Sequence, residues 1–255
     1  MDKQLKLVES AVREAGIAIA EMRKKGVDVS VKDNKDVLTQ ADLLANQILH
    51  SQLMGAFPGA GWLSEESVDN ADRLNIQRVW VVDPIDGTRE YIAGIPEYAV
   101  SVALVENGLP VIACVFNPER GEMFSALRGG GVYLNGKPVK CKQTCGDKLS
   151  LLASRSEVKR GEWDRFQHHE IKVIGSIAYK LALIAAGFAD ATFSLGPKSE
   201  WDIAAGVLLV QEAGGIATDK SGQSFVFNQP QVKVNGIIAA SGFSINNVMS
   251  IIAVR

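Results

Sequence analysis

The first fifty residues contain two stretches in which apolar side chains recur with the period of an α-helix. In the first stretch the apolar positions are spaced by three and four residues, so we predict an amphipathic helix that ends at Gly26. These positions are Leu5, Val8, Val12, Ala15, Ile19 and Met22. Thr39-Gln40-Ala41-Asp42 is predicted to open a second helix that continues through Leu49. The charged run 32–36 between them is typical of a surface loop.

From Val79 onward the pattern changes to that of β-strands. The short apolar, β-branched run 79–82 predicts a buried strand. Two pairs of similar runs then follow, each pair separated by a turn that contains glycine. We expect them to form antiparallel hairpins, one from 98–105 and 110–116 and the other from 122–127 and 132–134.

Strands and helices alternate in the second half of the chain. The predicted strands are 149–153, 172–174, 191–195 and 236–240, and the predicted helices are 156–166, 177–186, 202–213 and 245–254. Such alternation favours a mostly parallel or mixed sheet covered by helices. The polar stretch 140–148 is a plausible boundary, so we divide the chain into a helical and antiparallel-sheet domain, 1–146, and an α/β domain, 147–255. The predicted fold class is therefore α/β, or α+β, in layers.

The composition limits the classes of function that the chain can serve. Its 255 residues include 47% hydrophobic and 22% charged side chains, which is ordinary for a globular protein. The formal net charge of -2 gives no bulk attraction to nucleic acid or to an anionic membrane. No run approaches the roughly 20 apolar residues of a membrane span, and the first residues lack the apolar stretch of a signal peptide. Reduced thiols are the simplest account of the three cysteines, so we expect a cytoplasmic protein. From the charge and the lack of a membrane span we expect no nucleic-acid or membrane partner.

The segment Asp83-Pro84-Ile85-Asp86-Gly87-Thr88 concentrates hard oxygen ligands at the end of the predicted strand. Carboxylate and carbonyl oxygens are the ligands that Mg²⁺ prefers. The amides of Gly87 and Thr88 can point at an anion such as phosphate. An ordinary turn is the alternative, because Asp-Pro and Asp-Gly are both common turn dipeptides. Taken alone, the segment leaves the turn and the metal site equally open.

The same segment excludes a covalent phosphatase mechanism. Phosphatases of the haloacid dehalogenase type carry D-x-D-G-T, with the nucleophilic aspartate two residues before the second aspartate. Pro84 occupies that position here. The chain therefore has no nucleophile for a phospho-aspartate intermediate.

Further carboxylates can join this segment only if the fold brings them there. Glu65 and Glu66 are adjacent, so in extended structure one would face a site and the other solvent, although such pairs are more often solvated. Asp42 follows Thr39 at the spacing of a capping box. Asp202 precedes an apolar helix, where it can cap the helix or ligate a metal from the helix N-terminus.

Together these segments resemble the inositol monophosphatase superfamily of magnesium-dependent, lithium-sensitive phosphatases. The motifs that carry the resemblance are Thr39-x-x-Asp42, Glu65-Glu66-Ser67, Asp83–Thr88, and Trp201-Asp202-Ile203-Ala204-Ala205-Gly206 with Glu212-Ala213-Gly214-Gly215. They span most of the chain. The resemblance implies alternating helix and sheet layers, a small phosphorylated metabolite as substrate, two or three Mg²⁺ ions and, commonly, a homodimer.

The resemblance also implies roles for individual residues. The metal ligands that it implies are Glu65, Asp83, the Ile85 carbonyl, Asp86 and Asp202. Thr88 matches the threonine that, with a carboxylate, orients the attacking water. Asp42 matches an aspartate that helps to activate this water or to hold a further metal. Direct attack of this water on the ester needs no covalent intermediate, and positioning and electrostatics carry most of such catalysis.

The substrate is less well defined by the sequence than the chemistry. Animal-type inositol monophosphatases carry an acidic residue at the position of Leu195, where it holds ring hydroxyls. The segments Gly87-Thr88-Arg89-Glu90-Tyr91 and Gly196-Pro197-x-x-x-Trp201-Asp202 look more like the branch that hydrolyses 3'-phosphoadenosine 5'-phosphate to AMP, the bisphosphate nucleotidases. Lys198 and Arg89 would then meet the second phosphate, and solvated surface charge is the alternative for each.

Several alternatives remain at this point. Gly175 and Ser176 precede a predicted helix and can bind a substrate group at its N-terminus, or simply cap it. The substrate can instead be an inositol, sugar or histidinol phosphate. A non-catalytic scaffold that binds a ligand or regulates a partner is the alternative of another class. The complete set of acidic ligands argues against such a scaffold.

Overall fold

The computed structural model describes residues 3–26, 29–31 and 37–253. The helices are α1 Lys3–Lys25, α2 Gln40–Ala56, α3 Thr88–Ile92, α4 Arg155–Lys159, α5 Ile177–Ala185, α6 Glu200–Glu212 and α7 Ile245–Ala253. The strands of the first half are β1 Val29–Val31, β2 Val37–Thr39, β3 Gly61–Ser64, β4 Arg78–Asp86, β5 Ala99–Glu106, β6 Leu109–Asn117, β7 Glu122–Leu127, β8 Val132–Leu134 and β9 Lys137–Val139. Those of the second half are β10 Ser150–Ala153, β11 Glu170–Val173, β12 Ala191–Ser194, β13 Lys198–Ser199, β14 Gly215–Thr218, β15 Lys233–Val234 and β16 Ile237–Ser241.

A seven-stranded sheet lies in the first half of the chain, with strand order β3-β4-β5-β6-β7-β8-β9. Its strands pair antiparallel except for β3 and β4, which run parallel. The turn between β5 and β6 has positive φ at both Asn107 and Gly108, as a tight two-residue hairpin requires. Both predicted hairpins are confirmed.

A five-stranded sheet lies in the second half, with strand order β11-β10-β12-β16-β14. β10 pairs parallel with β11 and β12, whereas β16 pairs antiparallel with β12 and β14. The sheet is therefore mixed, as the alternation of strands and helices favoured. The two short strands β13 and β15 form a separate antiparallel pair.

Layers arise because successive residues of a strand face opposite sides of its sheet. On β4, Trp80 and Val82 pack with α1 and α2, whereas Val79 and Val81 face a second core that contains α5 and α6. That second core also contacts one face of the five-stranded sheet. A third core, with Trp163, Phe166 and Val248, covers the other face. The expected alternation of helix and sheet layers is confirmed.

Helix α6 is the element that joins the two halves of the chain. It packs against β4, β5 and β6 of the larger sheet and against β14 and β16 of the smaller one. Its residues Ile203, Val207 and Leu208 are almost completely buried. The division into domains 1–146 and 147–255 remains our proposal. The two parts are packed together, because α5 and α6 share one core with the first sheet. Among the described helices, none is long and apolar enough to cross a membrane.

The structure corrects some local predictions. The helix expected over 156–166 is wrong as one element, since α4 ends at Lys159 and a 3₁₀ turn, Asp164–Phe166, follows after Gly161 at φ 75°. β4 does not end at Val82 but continues to Asp86, with an irregularity in its pairing to β5 between Asp83 and Asp86. The sequence did not predict helix α3 or the strands β1, β2, β3, β9, β13, β14 and β15. The loop predicted at 32–36 lies outside the described residues.

Candidate metal centre and active site

The end of β4 presents the Asp83–Thr88 segment to a cavity. The Ile85 amide donates to the Asp83 Oδ1 atom at 3.0 Å, which fixes the carboxylate against its own backbone. Gly87 then has φ 97° and precedes α3. A Cβ at this position would lie 3.1 Å from the Glu97 carbonyl oxygen and 3.3 Å from the Tyr98 Cα atom, so only glycine fits. The segment is thus a turn that also carries acidic side chains.

Glu65 and Asp202 reach the same place from other parts of the chain. β3 runs parallel to β4, and the Glu65 amide donates to the Val82 carbonyl at 3.2 Å, which places Glu65 beside the end of β4. Asp202 lies in the first turn of α6, where its Oδ2 atom accepts a hydrogen bond from the Ser199 amide at 2.8 Å. Asp202 therefore caps the helix, as one of the two alternatives predicted, and its carboxylate still belongs to the site.

One ligand atom from each of Glu65, Asp83 and Asp202 lies within 4.8 Å of the other two. Burial, followed by repulsion from Glu65, raises the pKa of Asp83 well above its usual range. Burial, followed by repulsion from Asp86, raises the pKa of Asp202 to about 7. Carboxylates that are desolvated together in this way are stabilised by a shared cation, and hard oxygens suit Mg²⁺. The donor set therefore fits the expected metal.

Asp86 lines the same cavity but does not belong to this group of three. Its Oδ2 atom accepts hydrogen bonds from the Ser176 hydroxyl and from the Ala178 amide, each at 2.6 Å. Burial raises the pKa of Asp86 to about 6, and hydrogen bonding to Ser176 opposes this rise. Asp86 therefore ties the end of β4 to the beginning of α5.

Thr88 and Asp42 meet at the inner edge of the segment. The Thr88 hydroxyl lies 3.0 Å from the Ile85 carbonyl oxygen and 3.4 Å from Asp42 Oδ1, and it can donate to either. Asp42 is buried, and its Oδ2 atom accepts hydrogen bonds from the Thr39 amide at 2.8 Å and the Thr39 hydroxyl at 2.6 Å. Asp42 thus completes a capping box and also faces Thr88, so the two readings of this residue are compatible.

The cavity has a volume of about 570 Å³ and is open to solvent. Acidic groups of β4 and α6 line it together with four basic side chains: Arg89, Arg155, Lys198 and Lys233. A volume in this range is typical of sites for small molecules. Strong charges of both signs around one cavity are suited to an anion that is held together with cations.

Gly175 and Ser176 also line this cavity, at the beginning of α5. The Gly175 amide donates to the Glu97 Oε2 atom at 2.9 Å, and a Cβ at this position would lie 2.4 Å from the Glu90 Cγ atom. The Ser176 hydroxyl accepts from the Tyr179 amide at 3.0 Å and so caps α5. Both groups are thus held by protein contacts at the edge of the cavity.

Sequence reasoning missed two lysines near this site. Lys180 is fully buried in α5 and donates to the Ser154 hydroxyl. Burial lowers the pKa of Lys180 to about 8, against the opposing charge of Glu157. A single lysine within the apolar run 177–185 is a signal that could have revealed it. Lys233 gave no such signal, because it lies in a polar stretch without periodicity.

The chain is similar to known proteins over nearly its whole length. The model of the inositol monophosphatase family matches residues 1–250. A Nus factor SuhB of Xylella fastidiosa is 37% identical over 228 residues, covering 85% of this chain and 82% of that protein. An inositol-1-monophosphatase of Mesorhizobium japonicum is 34% identical over 231 residues, covering 84% of each chain. The solved structure of an IMPase of Thermotoga maritima aligns with a TM-score of 0.87 at 26% identity, covering 98% of this chain and 97% of that one.

Proposed function

The chain belongs to the inositol monophosphatase family of Mg²⁺-dependent phosphatases, and we propose that it hydrolyses a phosphomonoester of a small metabolite in the cavity between β4 and α6. The observation that carries this proposal is the convergence of Glu65, Asp83 and Asp202 within 4.8 Å. These residues come from three separate segments, and the backbone hydrogen bonds that Asp83 and Asp202 accept do not require the three carboxylates to meet. Metal-assisted chemistry does explain it.

The residues proposed to hold two or three Mg²⁺ ions are Glu65, Asp83, the carbonyl of Ile85, Asp86 and Asp202. When bound, Mg²⁺ supplies positive charge that neutralises phosphate oxygens and lowers the pKa of a ligated water. One oxygen of Asp83 accepts a hydrogen bond from the Ile85 amide and one oxygen of Asp202 from the Ser199 amide, so backbone contacts orient both carboxylates without the metal. This preorganisation supports their assignment as ligands.

The attacking water is positioned by Thr88 together with Asp42 or Glu65. The contact between the Thr88 hydroxyl and Asp42 Oδ1, at 3.4 Å, supports this pairing, because a hydroxyl that donates its hydrogen to a carboxylate can accept a hydrogen bond from the attacking water and so orient it. The amides of Gly87 and Thr88 at the start of α3 are proposed to steady the phosphate. No side chain needs to form a covalent bond to phosphorus.

Our preferred substrate is 3'-phosphoadenosine 5'-phosphate, which would be converted to AMP. A second phosphate would meet Lys198 and Arg89, which line the cavity. Leu195 stands where an acidic group would hold inositol hydroxyls. Gly175 and Ser176, at the beginning of α5, are proposed as further substrate contacts.

Inositol 1-phosphate is the second candidate substrate. It is favoured by the curated relatives of Mesorhizobium japonicum and Rhizobium meliloti, which carry the name inositol-1-monophosphatase at 34% and 35% identity. The two candidates differ in whether the leaving alcohol carries a second phosphate. They therefore place different demands on the basic residues that line the cavity.

Steady-state rates with Mg²⁺ separate these possibilities. We would measure phosphate release from 3'-phosphoadenosine 5'-phosphate, inositol 1-phosphate, fructose 1,6-bisphosphate and histidinol phosphate. The highest kcat/KM on the bisphosphonucleotide is expected, and a large preference for inositol 1-phosphate would transfer the assignment to the second candidate. A folded protein that hydrolyses none of these esters would instead favour the non-catalytic scaffold.

We also propose that the protein is a cytoplasmic homodimer and that Li⁺ inhibits it. Three free cysteines, Cys114, Cys141 and Cys145, support a reducing compartment. Size-exclusion chromatography with light scattering tests the dimer, and titration of Li⁺ into the phosphatase assay tests inhibition. A monomer, or activity unchanged at millimolar Li⁺, would refute the respective proposal.

A further inference from the structure

Lys233 is attached to the same end of α6 as the proposed metal ligand Asp202. On the paired strands β13 and β15, Lys233 stands opposite Ser199, and its Nζ atom donates to the Ser199 hydroxyl at 2.7 Å. The Glu200 amide donates to the carbonyl of Val232 at 2.8 Å, which anchors the preceding residue as well. Lys233 is therefore held at a fixed place beside the first turn of α6, although it lies in a polar stretch.

Lys233 differs from the neighbouring cations Arg155 and Lys198 in the partner that its charged group contacts. Arg155 contacts two carboxylates, Glu97 and Glu90. The Lys198 Nζ atom lies 3.9 Å from the Glu157 carboxylate. Among the residues that the structure describes, Lys233 has only the neutral Ser199 hydroxyl as a polar partner, and its side chain is exposed at the cavity.

A cation with this arrangement is suited to an anion from outside the protein. An exposed lysine is normally free to sample many rotamers, and fixing it costs conformational entropy. Here the Ser199 hydroxyl directs the ammonium group while leaving its charge unneutralised and two of its three donors available. The phosphate that is hydrolysed must lie against the carboxylates and their metals. Among the described residues, Lys233 forms no salt bridge with any of these carboxylates, so its charge can serve a different anionic group of the same ligand.

We propose that Lys233 binds a second phosphate of the substrate, apart from the phosphate that is removed, and so selects substrates with two phosphates. This inference rests on the proposed phosphatase function of the cavity, but not on the adenosine part of the preferred substrate. Lys198 lies on the opposing strand β13 and lines the same cavity. The β13–β15 pair thus contributes a specificity-determining residue from a segment that carries none of the proposed metal ligands.

The test compares two esters that differ only in the second phosphate. 3'-Phosphoadenosine 5'-phosphate and adenosine 3'-phosphate share the same scissile bond, as do inositol 1,4-bisphosphate and inositol 1-phosphate at the 1-position. We would measure kcat and KM for wild-type protein, Lys233→Met and the control Lys220→Met. Lys220 is also exposed, and its amide donates to the carbonyl of Asn235 next to β15, but it does not line the cavity.

In Lys233→Met, kcat/KM for the preferred bisphosphate is expected to fall by about 10- to 100-fold, mainly through KM, because one charge-assisted hydrogen bond is lost. The matching monophosphate should change less than about twofold, and Lys220→Met should resemble wild type on both esters. Equal losses on both members of a pair, or no loss on either, would overturn the role of Lys233. Wild-type protein that hydrolyses both members of each pair equally well would also overturn it, while leaving the phosphatase function intact.

Direct binding separates this inference from the failure of the proposed function. If wild-type protein hydrolyses none of the four esters, isothermal titration calorimetry with 3'-phosphoadenosine 5'-phosphate and Mg²⁺ provides the same comparison. Binding that is weakened in Lys233→Met but not in Lys220→Met would support the second-phosphate site in an inactive protein. Equal affinity in all three proteins, or no binding to wild type, would reject it.

Discussion

Replacement of Asp83 by asparagine should make the metal-free protein more stable while abolishing its activity. The amide oxygen of the new side chain can keep the hydrogen bond that Asp83 Oδ1 accepts from the Ile85 amide, so the change mainly removes charge. Each neighbouring carboxylate within 4.8 Å repels Asp83 by about 3 kcal/mol at an effective dielectric constant of about 20. Wild-type protein relieves part of this repulsion by binding protons, so we expect a net gain of roughly 1–3 kcal/mol in the free energy of unfolding.

The gain should depend on pH in a defined direction. The pKa of Asp83 is raised in the folded state, so the folded protein binds more protons than the unfolded chain, and wild-type stability falls as pH rises above the usual aspartate pKa. Asp202 and Asp86, with pKa values raised to about 7 and about 6, act in the same direction. The difference between Asp83→Asn and wild type should therefore be larger at pH 8 than at pH 5.

Thermal unfolding in EDTA and in Mg²⁺ tests this reasoning. For a chain of this size, 1 kcal/mol corresponds to a shift in Tm of about 2–4 °C. Mg²⁺ should raise the Tm of wild-type protein and have little effect on Asp83→Asn, because a ligand stabilises only the state that binds it. Asp147→Asn, at an exposed position away from the cavity, is the control and should behave as wild type. A metal-free Asp83→Asn protein that is less stable than wild type, or that retains the full response to Mg²⁺, would refute the assignment.

Three further substitutions probe the site and the core. Thr88→Val should lower kcat by about 10²–10⁴-fold with little change in Tm, because the hydroxyl that faces Asp42 is lost. Thr88→Ser should recover most of the rate. Equal kcat values for Thr88→Val and wild type would exclude Thr88 from the mechanism. Gly87→Ala should reduce the free energy of unfolding by about 1–3 kcal/mol in urea titrations, since its φ is 97° and the new Cβ would lie 3.1 Å from the Glu97 carbonyl. Leu208→Ala should reduce the free energy of unfolding by about 2–5 kcal/mol because α6 is buried between the sheets. The control Leu109→Ala, at a 45% exposed position, should change this free energy little. Similar losses for both variants would contradict the layered core.

The layers of the fold could be predicted because they depend on periodicity. The spacing of apolar residues in α1 and the alternation on β4 decide which face each element buries, and both are visible in one dimension. Element ends were less predictable, because tertiary contacts determine them. β4 continues through Pro84 to Asp86 since β5 still pairs beside it, and Gly161 interrupts the helix expected over 156–166.

The site could be predicted only in part, for a similar reason. Asp83 and Asp86 share one strand end, so their proximity follows from the sequence. The approach of Glu65 depends on the parallel pairing of β3 with β4, and β3 was not predicted at all. The position of Asp202 at the site depends on the packing of α6 between two sheets. Resemblance to a family supplied these two residues, whereas periodicity alone did not.

The distribution of charge explains why the cavity suits a phosphorylated ligand that arrives with metal ions. The carboxylates at the end of β4 and the start of α6 would repel a phosphate on their own, and burial together with repulsion among them already raises the pKa of Asp83. Lys180 and Lys198 act in the opposite sense, since their charges lower the pKa of Asp86. The charge of Lys198 also lowers the pKa of Asp202, yet burial and repulsion still raise that pKa to about 7, so the lysines compensate the acidic cluster only in part. The clustered carboxylates are therefore expected to need Mg²⁺ before they accept the phosphate that is hydrolysed, and the second phosphate that we propose would meet the basic side chains that line the same cavity.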